Sequence, residues 1–396
     1  MKTTIVATTV QIPDALRQIA DNARHYGHKD LDFIVVGDRK TPSSVADFCT
    51  LIRRDFYPAE YLDMDAQSRF LAPKSQALLK HLCFDSRQRR NVGIFRAWQN
   101  GADIVMSIDP HIQIGQEDFL SPHLQTGKTL PLVTRSSPTG WHNIAEDLVE
   151  AKSQPFFLRG FPQWQRENLA PAFRATESVN VAAHSGFLLG ASDLDAATRI
   201  DHSISAMSRR SAGSFALARG TWSPVSAHNV SFKRDLIPAC FFSPYVGRYD
   251  DIWASYVITR IAHHIGDVIA FGDPCVYKPT NSRDLARDFD HERTGFRQTD
   301  NFCAALRAIP LTGTTYHECF GQIAAALPGA WPETPRACGV EIEGRKQFLA
   351  GLAIWHELFD TERASGIANL FNRIAAESPK PTPILPALET VLRQNT

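Results

Sequence analysis

The chain has 396 residues, 43% hydrophobic and 21% charged, the composition of an ordinary globular protein and not of a disordered one. Lys+Arg and Asp+Glu are both 42, so the formal net charge is zero; this argues against nucleic acid or an anionic membrane surface as the main partner and leaves room for a local basic site. No apolar run approaches the ~20 residues that span a bilayer, and the seven cysteines, scattered and without a CxxC pair, read as reduced thiols of a cytoplasmic protein and not as a zinc site.

The length admits one large domain with an appendage, or two domains. The first residues, Met1–Ala7, read as an early strand and not as a signal peptide, because the apolar run stops at Thr8-Thr9. A β-rich run covers Thr4–Val10, and Pro13–His25 places Leu16, Ile19, Ala20 and Ala23 at helical spacing. Leu31–Val36 is almost continuously apolar and closes on Gly37-Asp38, the pattern of a parallel strand covered on both faces. Helices are predicted over Ser43–Arg53, Pro73–Leu82 and Asn91–Asn100, the last stopped by Gly101. The strand Asp103–Ile108 ends in Asp109-Pro110-His111. Strands alternating with helices of this length indicate an open α/β sheet, whose ligands bind beyond the carboxyl ends of the strands, at Asp38 and Asp109.

Residues 115–290 are less regular, with short strands at Pro131–Thr134, Ser185–Leu189 and Val268–Phe271. Beyond about residue 300 the pattern turns helical: Asp300–Ala308, Tyr316–Leu327, Arg345–Leu358, Arg363–Glu377 and Leu385–Arg393, with Pro-rich breaks at 328–335 and 379–386. The expected organisation is a catalytic domain over 1–295 and a mostly helical region over 296–396 packed on it.

Four segments carry candidate chemistry. Asp109 and His111 alternate across one residue after a strand and could share a divalent cation, although a strand ending in Asp-Pro is also the start of a turn. Arg89-Arg90-Asn91 opens a helix, where guanidinium groups and the helix N-terminus favour a phosphate. Arg159-Gly160-Phe161-Pro162 with Arg166-Glu167 makes a turn suited to covering a sugar. Gly247-Arg248-Tyr249-Asp250-Asp251-Ile252-Trp253 sets paired carboxylates at the start of a helix over Ile252–Ala262; one of them can cap that helix, and the other is then free to act as a base or hold a sugar hydroxyl. The pair His263-His264 and the tryptophans Trp98, Trp253 and Trp355 read as packing.

Taken together these segments resemble the reversibly glycosylated polypeptides, the UDP-arabinopyranose mutase family of GT-A-like nucleotide-sugar enzymes. Matches recur in order from Ile5 to about Trp355. The most specific are the Arg159 and Arg166 segment, Asp193-Leu194-Asp195-Ala196, Asn229-Val230-Ser231-Phe232 with Arg234-Asp235-Leu236-Ile237, and the Gly247–Trp253 run. The resemblance implies a GT-A-like, Rossmann-type open and mostly parallel sheet with helices on both faces. It implies conversion of a UDP-pyranose to the furanose, with self-glycosylation at the arginine matched by Arg166. Asp38 would contact the base or ribose, Asp109 the diphosphate and a divalent cation (Mn or Mg), and Asp250 and Asp251 the sugar. Arg90, Asn91, Arg159, Asn229, Arg248 and Lys278 complete the expected substrate contacts. Three departures stand out: Asp109-Pro110-His111 replaces a run of acids, Lys278 follows Tyr277 where the family places a histidine, and the family histidine around Ser185 is displaced to His184. Lysine cannot ligate a metal while protonated, though it can neutralise phosphate.

The function expected is that of a UDP-sugar enzyme acting at the anomeric carbon, a mutase first and a glycosyltransferase with an external acceptor second. A non-catalytic nucleotide-sugar-binding subunit is the third reading. The expected partner is a UDP-sugar, with no nucleic acid and no membrane insertion; a homo-oligomer is admitted.

Overall fold

The computed structural model describes residues 1–150, 156–191, 193–201, 204–279, 284–332 and 339–377. In chain order these form β1 (Thr3–Thr8), α1 (Asp14–His25), β2 (Leu31–Val36), α2 (Ser44–Asp55), β3 (Ala59–Leu62), α3 (Met64–Leu71), α4 (Gln76–His81), α5 (Arg90–Gln99), β4 (Ile104–Ile108), β5 (Gln113–Ile114), α6 (Leu120–His123), β6 (Thr129–Ser136) and β7 (Leu148–Glu150). There follow β8 (Phe173–Gly190), α7 (Ala196–Asp201), β9 (Ala206–Arg209), β10 (Phe215–Leu217), β11 (Asn229–Lys233), α8 (Asp250–Ile265), β12 (Asp267–Lys278), α9 (Leu285–Ala308), α10 (Tyr316–Ala330) and α11 (Gly339–Glu377).

The apolar strands of the first third do what their sequence asks. They pair in parallel in the order β3-β2-β1-β4 and are covered on both faces. One face packs on α1 through Leu16, Ile19 and Ala20; the other meets α5, which comes so close that a Cβ on Gly93 would lie 2.6 Å from Val6 and 2.7 Å from Val36. Every carboxyl end of β1, β2 and β4 therefore opens on the same edge. Beyond β4 the sheet turns antiparallel at β11, continues through the 18-residue β8, and adds β6, β10, β12 and β5. The α/β class, the parallel first half and the helical C-terminal part all follow the sequence expectation.

Helix α8 is buried nearly all round, as a helix enclosed by other elements must be. Its Trp253 stacks on Phe302 of α9 with centroids 4.5 Å apart, meets Trp331 and Phe348 edge-on, and donates from its indole N–H to Thr299 Oγ1 at 3.0 Å. One ring thus fastens α9, the end of α10 and α11 to the sheet side of the molecule. Helix α9 runs through position 295, where a boundary was expected, and α11 joins the two helices predicted at Arg345–Leu358 and Arg363–Glu377. The predicted helix Leu385–Arg393 and the break at 379–386 lie outside the described residues.

Removing the Trp253 ring leaves a large cavity where three C-terminal elements meet. Trp253→Ala should cost about 3–5 kcal/mol of unfolding free energy, and Trp253→Phe distinctly less. Urea denaturation followed by far-UV circular dichroism checks both.

Candidate active site

The common strand edge becomes a site because each strand ends in a polar residue. Asp38, just past β2, accepts from the Arg39 backbone N–H at 2.7 Å and from the Ser86 N–H at 2.9 Å. Asp109, just past β4, accepts from the His111 N–H at 2.9 Å and pairs with the Lys278 ammonium. Between them a cavity of about 220 Å³ is walled by Thr9, Asp38, Arg90, Asp109 and His111, among others. Arg90 does not reach freely into it, because its guanidinium donates to Ser107 Oγ and to the Ala227 carbonyl, both at 2.9 Å.

A second cavity, of about 360 Å³, lies alongside and is walled by Lys278, Arg248, Asp193, Arg199 and, from α9, Arg287 and His291. Arg87 and His228 line both cavities. The Asp109–Lys278 pair also straddles them, with Asp109 on the first wall and Lys278 on the second. The two spaces are neighbours across a cationic junction.

Behind the junction sits Arg159, with no exposure at all. Its guanidinium meets Asp193 at 2.9 and 2.7 Å and Asp251 at 2.9 and 3.0 Å, and also contacts the Arg248 carbonyl. Asp251 is then saturated, since it accepts as well from the backbone N–H groups of Ala227 and Ile252, each at 3.0 Å. Gly160 makes this possible: its φ is +89°, and a Cβ there would lie 2.2 Å from Ile252 of α8.

The charges follow from these contacts. Burial alone would raise the Asp193, Asp251 and Asp109 carboxyls, but Arg159 outweighs it for the first two and Lys278 with His228 for the third, so all three stay below the usual carboxylate range. Arg159 is correspondingly raised well above its ordinary value. Asp250 goes the other way: burial, then the adjacent Asp251 charge, pushes it up, and both its oxygens lack a hydrogen-bond partner. Burial, reinforced by Lys278, holds the His228 imidazole down at about 3, so the ring at the junction is neutral at pH 7.

The predicted residues therefore divide. Asp38, Arg90, Asp109, His111, Arg248 and Lys278 line the cavities. Asn91 does not: it clamps Phe242, donating to its carbonyl at 2.7 Å and accepting from its N–H at 3.0 Å. Asn229 likewise spends its amide on Pro274 O, at 3.0 Å, and on His123. Arg159 and Asp251 face each other and not the large cavities, and Asp250 is enclosed within range of Arg87 and Arg90. Arg166 pairs with the buried Asp195 and lies over the Phe157 ring, off both large cavities. Absent from the sequence expectation are His228, which stands 3.7 Å from both Asp109 and Asp193, and the α9 residues Arg287, Asp288 and His291. No spacing pattern marks a lone histidine inside a strand-entry segment, so no local signal existed for it.

Both members of the expected cation pair line the first cavity, and both already have partners. Asp109 is committed to Lys278, while the His111 Nδ1 accepts from the Gln11 amide at 2.9 Å. A divalent ion on Asp109 would sit beside the ammonium; unit charges ~4 Å apart interact by about 4 kcal/mol at an effective dielectric of about 20, and a divalent ion doubles the repulsion. Among the described residues Asp193, His228 and Asp251 do bring ligand atoms within 4.8 Å of one another, but both carboxylates already hold Arg159. The residues of this cleft do not fit a divalent ion without breaking an existing ion pair; a second group that could hold one, His317, His356 and Asp360, lies on α10 and α11, away from both cavities.

An open α/β sheet with a two-lobed cationic cleft beyond its strand ends is the class of protein that fold and site define. Within that class, residues 155–329 match the family described as reversibly glycosylated polypeptide, and over this segment the resemblance read from the sequence holds. UDP-arabinopyranose mutase 1 of Arabidopsis thaliana is 27% identical over 175 residues, which are 42% of this chain and 46% of that protein. The probable UDP-arabinopyranose mutase 2 of Solanum tuberosum is 31% identical over 234 residues, 56% and 58% of the two chains. The matched segments thus span about half the length of these curated relatives. Among solved structures, the glucosyl-3-phosphoglycerate synthase of Mycobacterium tuberculosis in complex with Mn2+ and UDP-glucose aligns at 14% identity and a TM-score of 0.38, over 79% of this chain and 81% of that one. The mannosyltransferase PcManGT of Pyrobaculum calidifontis, in complex with GDP-mannose and Mn2+, aligns at 11% and 0.36, over 99% and 80%. No helix among the described residues is long and apolar enough to cross a membrane.

Two outcomes are expected. Asp251→Asn weakens its pairing with Arg159, fully buried, and should destabilise the fold by up to about 3–5 kcal/mol; a denaturation midpoint equal to the wild type's would remove Asp251 from its positioning role. The second concerns acid. The buried rings His123, His142, His184 and His228 are held at about 3, 4, 4 and 3, below an unfolded value of about 6.5, so the fold favours their neutral form. Stability is then complete above pH 6.5 and is lost as the pH falls towards 4, each ring costing of order 1–2 kcal/mol by pH 5. Urea midpoints measured from pH 8 to pH 5 should be flat above 6.5 and drop below it.

Proposed function

We propose that the chain is a UDP-sugar enzyme acting at the anomeric carbon, and that it interconverts the pyranose and furanose forms of a UDP-pentose. The observation that supports this most is the junction of Arg87, Lys278 and His228 between two cavities, each of small-molecule size. The relatives matched over residues 155–329 are named UDP-arabinopyranose mutases, which makes UDP-arabinopyranose the substrate to try first.

In this reading the nucleoside occupies the cavity beside Asp38, whose carboxylate is fixed by two backbone N–H groups. The diphosphate lies along Arg87 and Lys278. When the bond between C1 and the β-phosphate oxygen breaks, its electron pair leaves with UDP, and these cations stabilise the charge that develops there. The electron-poor C1 faces Asp193 and the neutral His228. The sugar's 4-hydroxyl then attacks C1 and passes its proton to the neutral His228; the C1–O5 bond breaks, O5 taking that proton back, and the β-phosphate oxygen of the UDP still bound re-forms its bond to C1 of the furanose. Asp251 acts by holding Arg159, and with it Asp193, in place; it is a positioning residue. Arg166, the position matched to the family's glycosylated arginine, is the proposed acceptor of a covalently held sugar.

Transfer to an external acceptor is the second reading, favoured by the exposed α9 side chains Arg287 and His291 at the mouth of the larger cavity.

Incubation of the full chain with UDP-arabinopyranose and chromatography of the nucleotide sugars should show the furanose, and radiolabelled sugar should remain on the protein. Arg166→Ala should abolish the label. Neither furanose nor labelled protein would end the mutase reading, and a label retained in Arg166→Ala would move the acceptor elsewhere.

A further inference from the structure

A diphosphate carries its charge wherever it binds, and something must meet it. At this strand edge the obvious places for a divalent ion are already taken. One carboxylate oxygen of Asp109 receives the His111 N–H and the other pairs with Lys278. Lys278 is delivered by the last residue of β12, which pairs through Lys278↔Gly190 with the end of β8 and through Tyr277↔Gln113 with β5, the strand that follows the Asp109-Pro110-His111 turn. The sheet register itself brings the ammonium to the carboxylate. His111 is turned to Gln11, and the carboxylates around His228 are held by Arg159.

We infer that Lys278 occupies the place and performs the task of a divalent cation, so that the diphosphate of a nucleotide sugar is bound at this site without a metal ion. The inference rests on the nucleotide-sugar reading above and adds to it how the leaving group is neutralised. An ammonium is a compact point charge with three donors, suited to phosphate oxygens, and unlike an imidazole it offers no lone pair to a metal while protonated. Its counter-charge, Asp109, keeps it on the boundary between the two cavities when no ligand is present. Arg87, which lines both, is placed to share the load. The site thus trades a loosely held ion for a covalently attached cation, fixed by strand register and insensitive to chelators.

The test is titration calorimetry of the full chain with UDP, in EDTA and in millimolar Mn2+. Wild-type affinity should agree within about threefold between the two conditions, because no ion is part of the site. Lys278→Met keeps the aliphatic stem and should weaken UDP binding by about 10- to 100-fold in both, the loss of one charge-assisted contact. Lys278→His restores a metal ligand beside Asp109 and should bind UDP better in Mn2+ than in EDTA, by about tenfold or more. A wild-type chain that binds UDP in Mn2+ and loses it in EDTA overturns this inference and leaves the nucleotide-sugar reading standing. A wild-type chain that binds UDP in neither condition overturns the nucleotide-sugar reading itself. The wild-type comparison needs no variant to fold.

Discussion

A guanidinium shut off from solvent must find its whole charge balance inside the protein, and Arg159 finds it in two carboxylates from distant stretches of chain, Asp193 and Asp251. Neither partner could be removed cheaply: each would leave an uncompensated buried charge. The consequence is geometric. Asp251 opens α8, Asp193 follows β8, and Arg159 sits in the turn above α8 whose Gly160 lets the backbone descend onto Ile252. Once these three are locked, the Ala227 backbone is caught by Asp251, and His228, one residue on, is set between Asp109 and Asp193. The site's front wall is therefore a by-product of an ion pair behind it.

That arrangement explains why the sequence disclosed the frame of the site better than its interior. The apolar runs of β1, β2 and β4 and the amphipathic α1 are local patterns, and their ends fall within a residue or two of the expected positions. So Asp38 and Asp109 could be placed on one edge before any tertiary contact was known. Strand β3, with the charged Glu60 in only four residues, and the short α3 behind it carry too little periodicity to be read. Strand β8 is legible only where it is buried: residues 173–178 are mostly exposed and polar, so only its apolar second half resembles a strand. Helix α11 is continuous across Phe359-Asp360-Thr361-Glu362, between the two predicted helices, because no Gly or Pro there breaks a helix.

The interior is a different matter. Arg159 lies 34 residues from Asp193 and 92 from Asp251, and no sequence spacing encodes such a pairing. Asp250 and Asp251 looked equivalent as adjacent acids. The fold separates them completely, saturating Asp251 with a guanidinium and two backbone N–H groups while leaving Asp250 without a partner. Asn91 and Asn229, marked as ligand contacts by their setting in matched motifs, turn out to be buried amides that fix neighbouring backbone. Motif membership marked both residues that line the cavities and residues that do not. It did not distinguish side chains that face a cavity from those that fix neighbouring backbone.

Lys278 and His228 share the junction with Asp109. Their presence together is physically coherent. An ammonium at this point lowers the carboxylate of Asp109 and also disfavours a second positive charge nearby, which is one reason, after burial, that His228 remains neutral. A neutral imidazole can accept or donate a hydrogen bond without adding charge to the junction that takes the diphosphate in the proposed reading. In the proposed reaction a cationic His228 would attract the diphosphate more strongly and also retain UDP more strongly after the C1–O bond breaks. In the proposed mutase reading UDP must be held for recapture, but the gain counts only if the interaction strengthens in the transition state. A fixed ammonium beside a neutral ring meets that condition better than two cations, because its charge is matched by Asp109 at rest and finds a stronger partner as the leaving oxygen becomes negative.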